Sequence, residues 1–506
     1  MKNYISLFFI AFLTAINLNA QQPGFIKDSL DAYVNRELQR WNLPGAAIAI
    51  VKDGEVVVSK GYGVTDITSK KPVDGNTLFM IASNTKLFTG TSLAILQEEG
   101  TISLNDPVTK YLPYFKMYND TLTNMVTIED ILSHRLGFET FQGDFYNWAN
   151  NVSREEIIKN ISKNKPVYDF RDTWGYCNAG FVTAGEIVKA ATDTSWEDFI
   201  QTRFFDPLDM KRSSVNYESI VTDKNACAPY TIFQNNLVKL NYDNLNNIAP
   251  CAAINTCTND LTHWLMMQLN TGSYKNDQVV PFNAIMETRL PRSIVGDGHS
   301  GLYKTKHFDL YGLGIEINDY EGREIFSHTG GADGFVTAVC FIPEENLGIA
   351  VLTNSDANYF FLACMYQIIE SYFELPYRNI SSTYYGFYTG NEKAANTQLT
   401  EWYSATEKYS MPSNDMKKFV GKYHNDVYGN MEIKTLNQKL VMYFEHHPQL
   451  TGILQATDDH TFVCTYDPIS WGVKEIPFTI ENGKVISATV SVNDFIDFGY
   501  YEFTKL

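Results

Sequence analysis

"IASNTKLFTG", residues 81–90, places Ser83 and Lys86 three positions apart at the start of a helical pattern. Residues i and i+3 share a helix face, so the lysine amine can reach the serine hydroxyl. The pair has two readings. Serine caps helices and lysine is usually solvated; alternatively, the lysine takes the serine's proton and turns a poor nucleophile into a good one. A free lysine near pKa 10.4 cannot act as a base at neutral pH, so the second reading needs Lys86 buried or set beside positive charge. The flanking Ile81, Ala82, Leu87 and Phe88 supply an apolar setting. Ser162-Lys163-Asn164-Lys165 repeats the spacing in a polar stretch where nothing else suggests chemistry.

Working outward, "AAIAIVKDGEVVVSKGYG" shows two apolar runs split by Asp53-Gly54, a hairpin signal. A helix runs from about Ser83 to Glu99, with its apolar residues roughly on one side and Gly100 as its stop. Mostly helical patterns fill residues 126–271. Strand patterns return in "LYGLGIEI", "GFVTAVCFI" and "LGIAVLTN", and "YFFLACMYQIIESYF" reads as a closing helix. Strands at both ends of a helical middle predict an α+β fold, an antiparallel sheet flanked by helices with a mostly helical subdomain, over residues 21–385. Residues 386–412 read as a polar linker carrying one helix. Short alternating strands with turns such as Asn482-Gly483 then predict a small all-β barrel over residues 413–506.

With 506 residues, 44% hydrophobic, the chain has material for two or three globular domains. Residues 1–20 combine Lys2, an apolar run and Ala20, which reads as a signal peptide cut before Gln21 and predicts a periplasmic or secreted protein. No later segment is long and apolar enough to span a membrane. The net charge of -18 argues against nucleic acid or an anionic membrane as the main partner. Seven scattered cysteines make no disulfide framework, although Cys251 and Cys257 are close enough in sequence to pair. There is no CxxC and no HExxH, so no metal and no cofactor is expected. His446 and His447 read as structural. The absence of a G-x-S-x-G elbow argues against an α/β-hydrolase.

Two further stretches bear on Ser83. "WGYCNAGF" carries Tyr176 and Asn178, and "FSHTGGADGF" carries His328, Thr329, Gly330 and Gly331. With Ser83-x-x-Lys86, these resemble the three signature elements of the serine β-lactamase and penicillin-binding-protein superfamily, in the Y-x-N form of the class C type. "NLPGAAIAIVKDGEVVVSKGYGVTD", "ISLNDPVTKYLP", "VTIEDILSHRLGFE", "FFDPLDMKRSSV" and "YGLGIEI" extend the likeness, in family order, over roughly residues 40–360. The C-terminal segment resembles, more faintly, the lipocalin-like barrel appended to some peptidases of this family.

The resemblance implies an acyl-enzyme mechanism. Ser83 attacks a carbonyl, Lys86 and Tyr176 share the proton work with the base unassigned, and Asn178, His328 and Thr329 bind substrate. The oxyanion sits between the backbone N–H groups of Ser83 and Gly331. It implies a serine hydrolase acting on amide or ester bonds of a small-molecule or peptide substrate, such as a D-amino-acid peptide, a peptidoglycan fragment or a small ester. A class C-type β-lactamase and a non-catalytic penicillin-binding or sensor protein are the alternatives. Lysine is common at the position of His328; histidine is mostly neutral at pH 7, which weakens the β-lactamase reading. A protonated His328 orienting an anionic substrate would make kcat/KM fall as pH rises through the histidine pKa. "APCAAINTC" departs from the family's usual A-G-G, so Ala252 and Ala253 are expected to narrow the approach. "SHRLG" gives His134 as structural support and sets Arg135 near the site. The barrel is expected to cap the site, restrict substrate size or mediate assembly.

Overall fold

A computed structural model describes residues 22–506; the predicted signal peptide lies outside the described residues. Strands β1 (Gly45–Lys52) and β2 (Glu55–Gly63) form the hairpin, its turn made by Asp53 and Gly54 at positive φ. Six strands from the other end of the domain join them: β3 (Ser293–Gly296), β4 (Asp309–Tyr311), β5 (Glu316–Tyr320), β6 (Arg323–Ala332), β7 (Phe335–Ile342) and β8 (Leu347–Thr353). The result is an eight-stranded sheet in the order β2-β1-β8-β7-β6-β5-β4-β3, antiparallel throughout. Ala46 pairs with Thr353, so the sheet closes the domain's two ends on each other.

β1 reads as an unbroken apolar run because it is covered on both faces. Successive side chains alternate between faces, sending Ala47, Ala49 and Val51 into one core and Ala46, Ile48 and Ile50 into the other. The second core lies under helices α1 (Leu30–Arg40) and α5 (Phe360–Tyr372). The first receives α2 (Thr85–Glu98) and α4 (Thr258–Leu269), with α3 (Asn178–Thr192) of the helical subdomain behind α2. α2 is not one-sided as its sequence suggests: every residue from Thr85 to Leu96 is buried, because sheet and subdomain enclose it. Gly90 marks a close approach on this helix, where an added Cβ would lie 1.9 Å from the Leu313 carbonyl oxygen.

Residues 380–408 form one continuous helix, α6 (Ile380–Lys408). Its first turn is tied to α1: Trp41 donates to Ser381 Oγ (2.8 Å), which donates to Glu37 Oε2 (2.6 Å). Beyond it eight strands, from Gly421–Asn425 to Tyr501–Lys505, close into a barrel whose first and last strands pair. Closure leaves no free edge.

The barrel is seated on the helical subdomain by Phe145, which is buried among the barrel rings of Tyr428, Phe444, His447, Trp471 and Tyr501. His446 lies in the turn before the strand that begins at His447, and its ring meets Tyr146. Both histidines are docking residues. Cys251 and Cys257, close enough in sequence to pair, do not do so, and all seven thiols are free. Cys251 Sγ donates to the Ile248 carbonyl 3.1 Å away, and burial pushes both of these thiols up to about 12.

Candidate active site

Ser83 sits in a single 3-10 turn, Ala82–Asn84, that leads into α2. Ala82, just before it, holds φ at +45°, a left-handed conformation that costs an alanine energy and persists only where the surroundings enforce it. They do: the buried Asn84 amide donates to Ile81 O (3.2 Å) and to Thr337 Oγ1 on β7 (2.8 Å), which pins the turn to the sheet. Gly330 on β6 packs against the same turn, and a Cβ there would fall 2.0 Å from Ile81 O.

One turn along α2, Lys86 is fully buried. Its Nζ lies 3.0 Å from Ser83 Oγ, 2.8 Å from Asn178 Oδ1 and 3.0 Å from the Cys251 carbonyl oxygen. The latter two can only accept, whereas the serine hydroxyl can donate. The ammonium satisfies the set by donating to all three oxygens, and the neutral amine satisfies it by giving two N–H bonds away and turning its lone pair to the Ser83 hydroxyl, so the proton can pass between Ser83 and Lys86 without either losing its partners. Burial pulls the Lys86 pKa down to about 8, against the opposing pull of the Cys251 thiol and the Asp144 carboxyl. The Asn178 amide is oriented by Asp144, whose Oδ2 accepts from Nδ2 at 2.6 Å and so turns Oδ1 toward the lysine. Burial raises Asp144 itself to about 7.

Tyr176 lies with its ring centroid 4.7 Å from Lys86 Nζ. Its hydroxyl is buried beside Ser83 without a hydrogen-bond partner of good geometry, and burial raises its pKa well above the ordinary phenol value. Burial favours the neutral form of both groups that share the proton work, and of the two only the neutral amine is a base.

His328 is buried at the start of the H-T-G-G stretch on β6. Its Nδ1 faces the Thr329 carbonyl at 2.5 Å, which can only accept, so Nδ1 carries the proton. Nε2 then accepts from the Tyr311 hydroxyl (2.9 Å), which in turn receives His134 Nε2–H (3.2 Å), while His134 Nδ1 accepts the Cys177 amide (3.0 Å). Donors and acceptors close along this chain only with both imidazoles neutral. Burial agrees, lowering His328 to about 3 and His134 well below the usual histidine value, with Lys86 adding repulsion to both. A protonated His328 reading substrate charge does not fit this chain of bonds, whereas the mostly neutral histidine expected at pH 7 does.

A cavity of about 300 Å³ opens over these groups, lined by Ser83, Tyr176, Asn178, His328, Thr329 and Gly331. All the sequence-predicted site residues reach it except Lys86, which lies beneath Ser83. Thr140, Phe141, Trp148, Trp174 and Glu316 also line it, as do Phe495 and Ile496 from the barrel. Ala252 and Ala253 are buried in and just after the turn Ala249–Ala252 and do not line the cavity; what that stretch contributes is the Cys251 carbonyl. Arg135 is likewise turned away, bonded to Asp130 Oδ1 (2.6 Å), Glu129 and the Arg292 carbonyl. Asp144, Glu316 and Phe495 were missed from sequence. Nothing in "QGDFYNW", "YGLGIEI" or "SVNDFIDF" marks these three side chains, because their roles depend on what the fold sets opposite them.

Residues 30–367 match the family described as Beta-lactamase. The chain belongs to that family. Residues 405–505, which contain the barrel, match a second family described only as a domain of unknown function, DUF3471. Among curated relatives, Protein flp of Staphylococcus aureus strain MW2 is 30% identical over 343 residues, 66% of this chain and 64% of the relative. The match thus spans less than two thirds of that protein. Unguisins hydrolase ungD' of Aspergillus campestris is 26% identical over 440 residues, 83% of this chain and 79% of the relative. Among solved structures, the octameric penicillin-binding protein homologue from Pyrococcus abyssi superposes with a TM-score of 0.60 at 20% identity, covering 94% of this chain and 99% of that one. The D-stereospecific amidohydrolase from a Streptomyces species gives a TM-score of 0.52 at 21% identity over 64% of this chain and 94% of that one. These two likenesses concern the fold. Among the described residues, no helix is long and apolar enough to cross a membrane.

Proposed function

We propose that the protein is an exported serine hydrolase that cleaves amide or ester bonds through an acyl-enzyme on Ser83, with Lys86 as the base. The observation that carries this is the hydrogen-bond set around Lys86 Nζ, two fixed acceptors and one hydroxyl, which serves the neutral amine before it takes the Ser83 proton and the ammonium afterwards. With a pKa of about 8, about a tenth of the lysine is neutral at pH 7.

Ser83 Oγ attacks the substrate carbonyl carbon as its proton moves to Nζ. The new oxyanion is met by the N–H groups of Ser83 and Gly331, donors aimed at charge that develops only in the transition state. Collapse breaks the bond to the leaving group, which takes the proton from Lys86 by way of the Tyr176 hydroxyl, itself kept protonated by burial. Water then enters by the reverse route, losing a proton to Lys86 as it attacks the acyl carbon, and Lys86 returns that proton to Ser83 Oγ as the acyl bond breaks and the acid leaves.

The cavity's charges narrow the substrate. Lys86 is committed beneath Ser83, His328 is neutral, and among the described residues no arginine lines the cavity, while Glu316 presents a carboxyl that accepts a long bond from Ser327 (3.4 Å). The site therefore suits a neutral or ammonium-bearing acyl donor, as in a peptide with a free amino end, and disfavours the carboxylate of a β-lactam. Nitrocefin turnover is expected to be slow. Export rests on the sequence of residues 1–20, and the name of one protein of similar fold, a D-stereospecific amidohydrolase, is consistent with D-amino-acid peptides as substrates.

A fluorophosphonate probe with peptide mapping tests the proposal. Label on Ser83, absent from Ser83→Ala, is expected; well-folded protein that takes no label would favour the non-catalytic binding alternative.

A further inference from the structure

The barrel does more than line the cavity. Asp497, on the loop before the last barrel strand, points its carboxylate into the helical subdomain. Its Oδ2 accepts the backbone N–H groups of Gly143 and Phe145, both at 3.1 Å, the two amides that flank Asp144. Its Oδ1 accepts the Gly499 amide at 2.8 Å, which fixes the carboxylate within its own loop. Gly143 holds φ at +88°, so the turn it starts has a set direction, and Asp144 Oδ1 is steadied by the Asn147 amide at 3.0 Å. From Asp144 the path runs through Asn178 to Lys86.

We propose that Asp497 is a positioning residue for the proton transfer at Ser83, holding Lys86 in place through Asp144 and Asn178, so that the barrel is an integral part of the active site. This rests on the reading of Lys86 as the base. Asp497, Asp144, Asn178 and Lys86 are each no more than 4% exposed, so water does not compete for the bonds between them. Each link is directional. If the turn moves, Asp144 no longer dictates which end of the Asn178 amide faces Nζ, and a flipped amide presents N–H groups to an amine that needs an acceptor. Phe145 locks the same turn from the other side, its ring stacked on Tyr501 (5.4 Å) and His447 (4.9 Å). The ionisable groups packed around the path are the Asp144 and Asp497 carboxyls, the phenols of Tyr176, Tyr428 and Tyr501, the thiols of Cys177 and Cys251, and the two neutral imidazoles. The path links a domain without catalytic side chains of its own to the lysine of the other.

The test uses the full chain with Asp497→Ala and Asp497→Asn, the second able to serve either the two turn amides or Gly499 but not both. Three quantities are read: kcat and KM for a neutral ester, and the pH midpoint of fluorophosphonate labelling of Ser83. Asp497→Ala is expected to lower kcat about tenfold to a hundredfold with KM within about twofold, as misplacement of a reacting group does. Its labelling midpoint is expected to move by at least about half a pH unit, and Asp497→Asn is expected to fall between it and the wild type. Folded Asp497→Ala with wild-type kcat and midpoint, or a loss confined to KM, overturns the proposal. If Asp497→Ala does not fold, Asp497→Asn decides, and wild-type values in it overturn the proposal equally. Wild-type protein that takes no label on Ser83 fails at the earlier step and overturns the hydrolase reading itself.

Discussion

Lys86 Nζ stands 3.0 Å from Ser83 Oγ, with its other two hydrogen-bonding directions already taken by the Asn178 side chain and the Cys251 carbonyl. The amine therefore cannot swing away to serve another partner, and its one free function is to exchange a proton with the serine. Replacing Lys86 with arginine keeps a cation that cannot give up its proton; replacing it with methionine removes the base altogether. Both variants are expected to lose about a thousandfold or more in kcat with little change in KM, the signature of an interaction used in the transition state. Steady-state kinetics on a neutral ester provide the check.

Glu316 supplies a charge that the substrate can sense. Burial holds its carboxyl up at about 7, so it is neutral below that pH and anionic above it. The ratio of kcat/KM for a trimethylammonium-bearing ester to that for its neutral tert-butyl isostere is expected to rise about tenfold as pH increases through 7. Glu316→Gln should flatten that rise. His328→Gln should leave it in place, because His328 is already neutral across the range.

The glycines of the H-T-G-G stretch differ in what they touch. A methyl group at Gly330 meets the backbone oxygen of Ile81, two residues from the nucleophile, whereas one at Gly331 meets only the ring of Phe495 at 2.6 Å. Gly330→Ala is therefore expected to lower kcat about a hundredfold by shifting the serine turn. Gly331→Ala should cost less. Adding Phe495→Ala should recover part of that cost but none of the cost of Gly330→Ala, a non-additivity that a double-mutant cycle measures.

These residues also show how far the sequence could be read. Ser83-x-x-Lys86 and Tyr176-x-Asn178 carry their geometry in their spacing, and the pairing of a hairpin near residue 50 with strands near residue 350 followed from where the apolar runs lie. Residue type alone did not reveal charge state. His328 is neutral because Tyr311 donates to it and the sheet buries it, and Lys86 can shed its proton near pH 8 because sheet and subdomain enclose α2 on all sides. Asp144 and Asp497 were invisible for a related reason: each matters through one or two hydrogen bonds to residues tens or hundreds of positions away. The scattered cysteines read as no disulfide framework, and closeness in sequence left Cys251 and Cys257 open only because it says nothing about two thiols that the fold buries separately.

The most direct test is the pH dependence of the rate at which a neutral fluorophosphonate labels Ser83 in the wild-type protein. If Lys86 takes the serine proton, the rate rises about tenfold per pH unit and levels off near pH 8, where the buried amine loses its charge. A rate that is flat from about pH 6 to 10, or that climbs steadily to the pKa of about 10.4 of a solvated lysine, would contradict the assignment of Lys86 as the base.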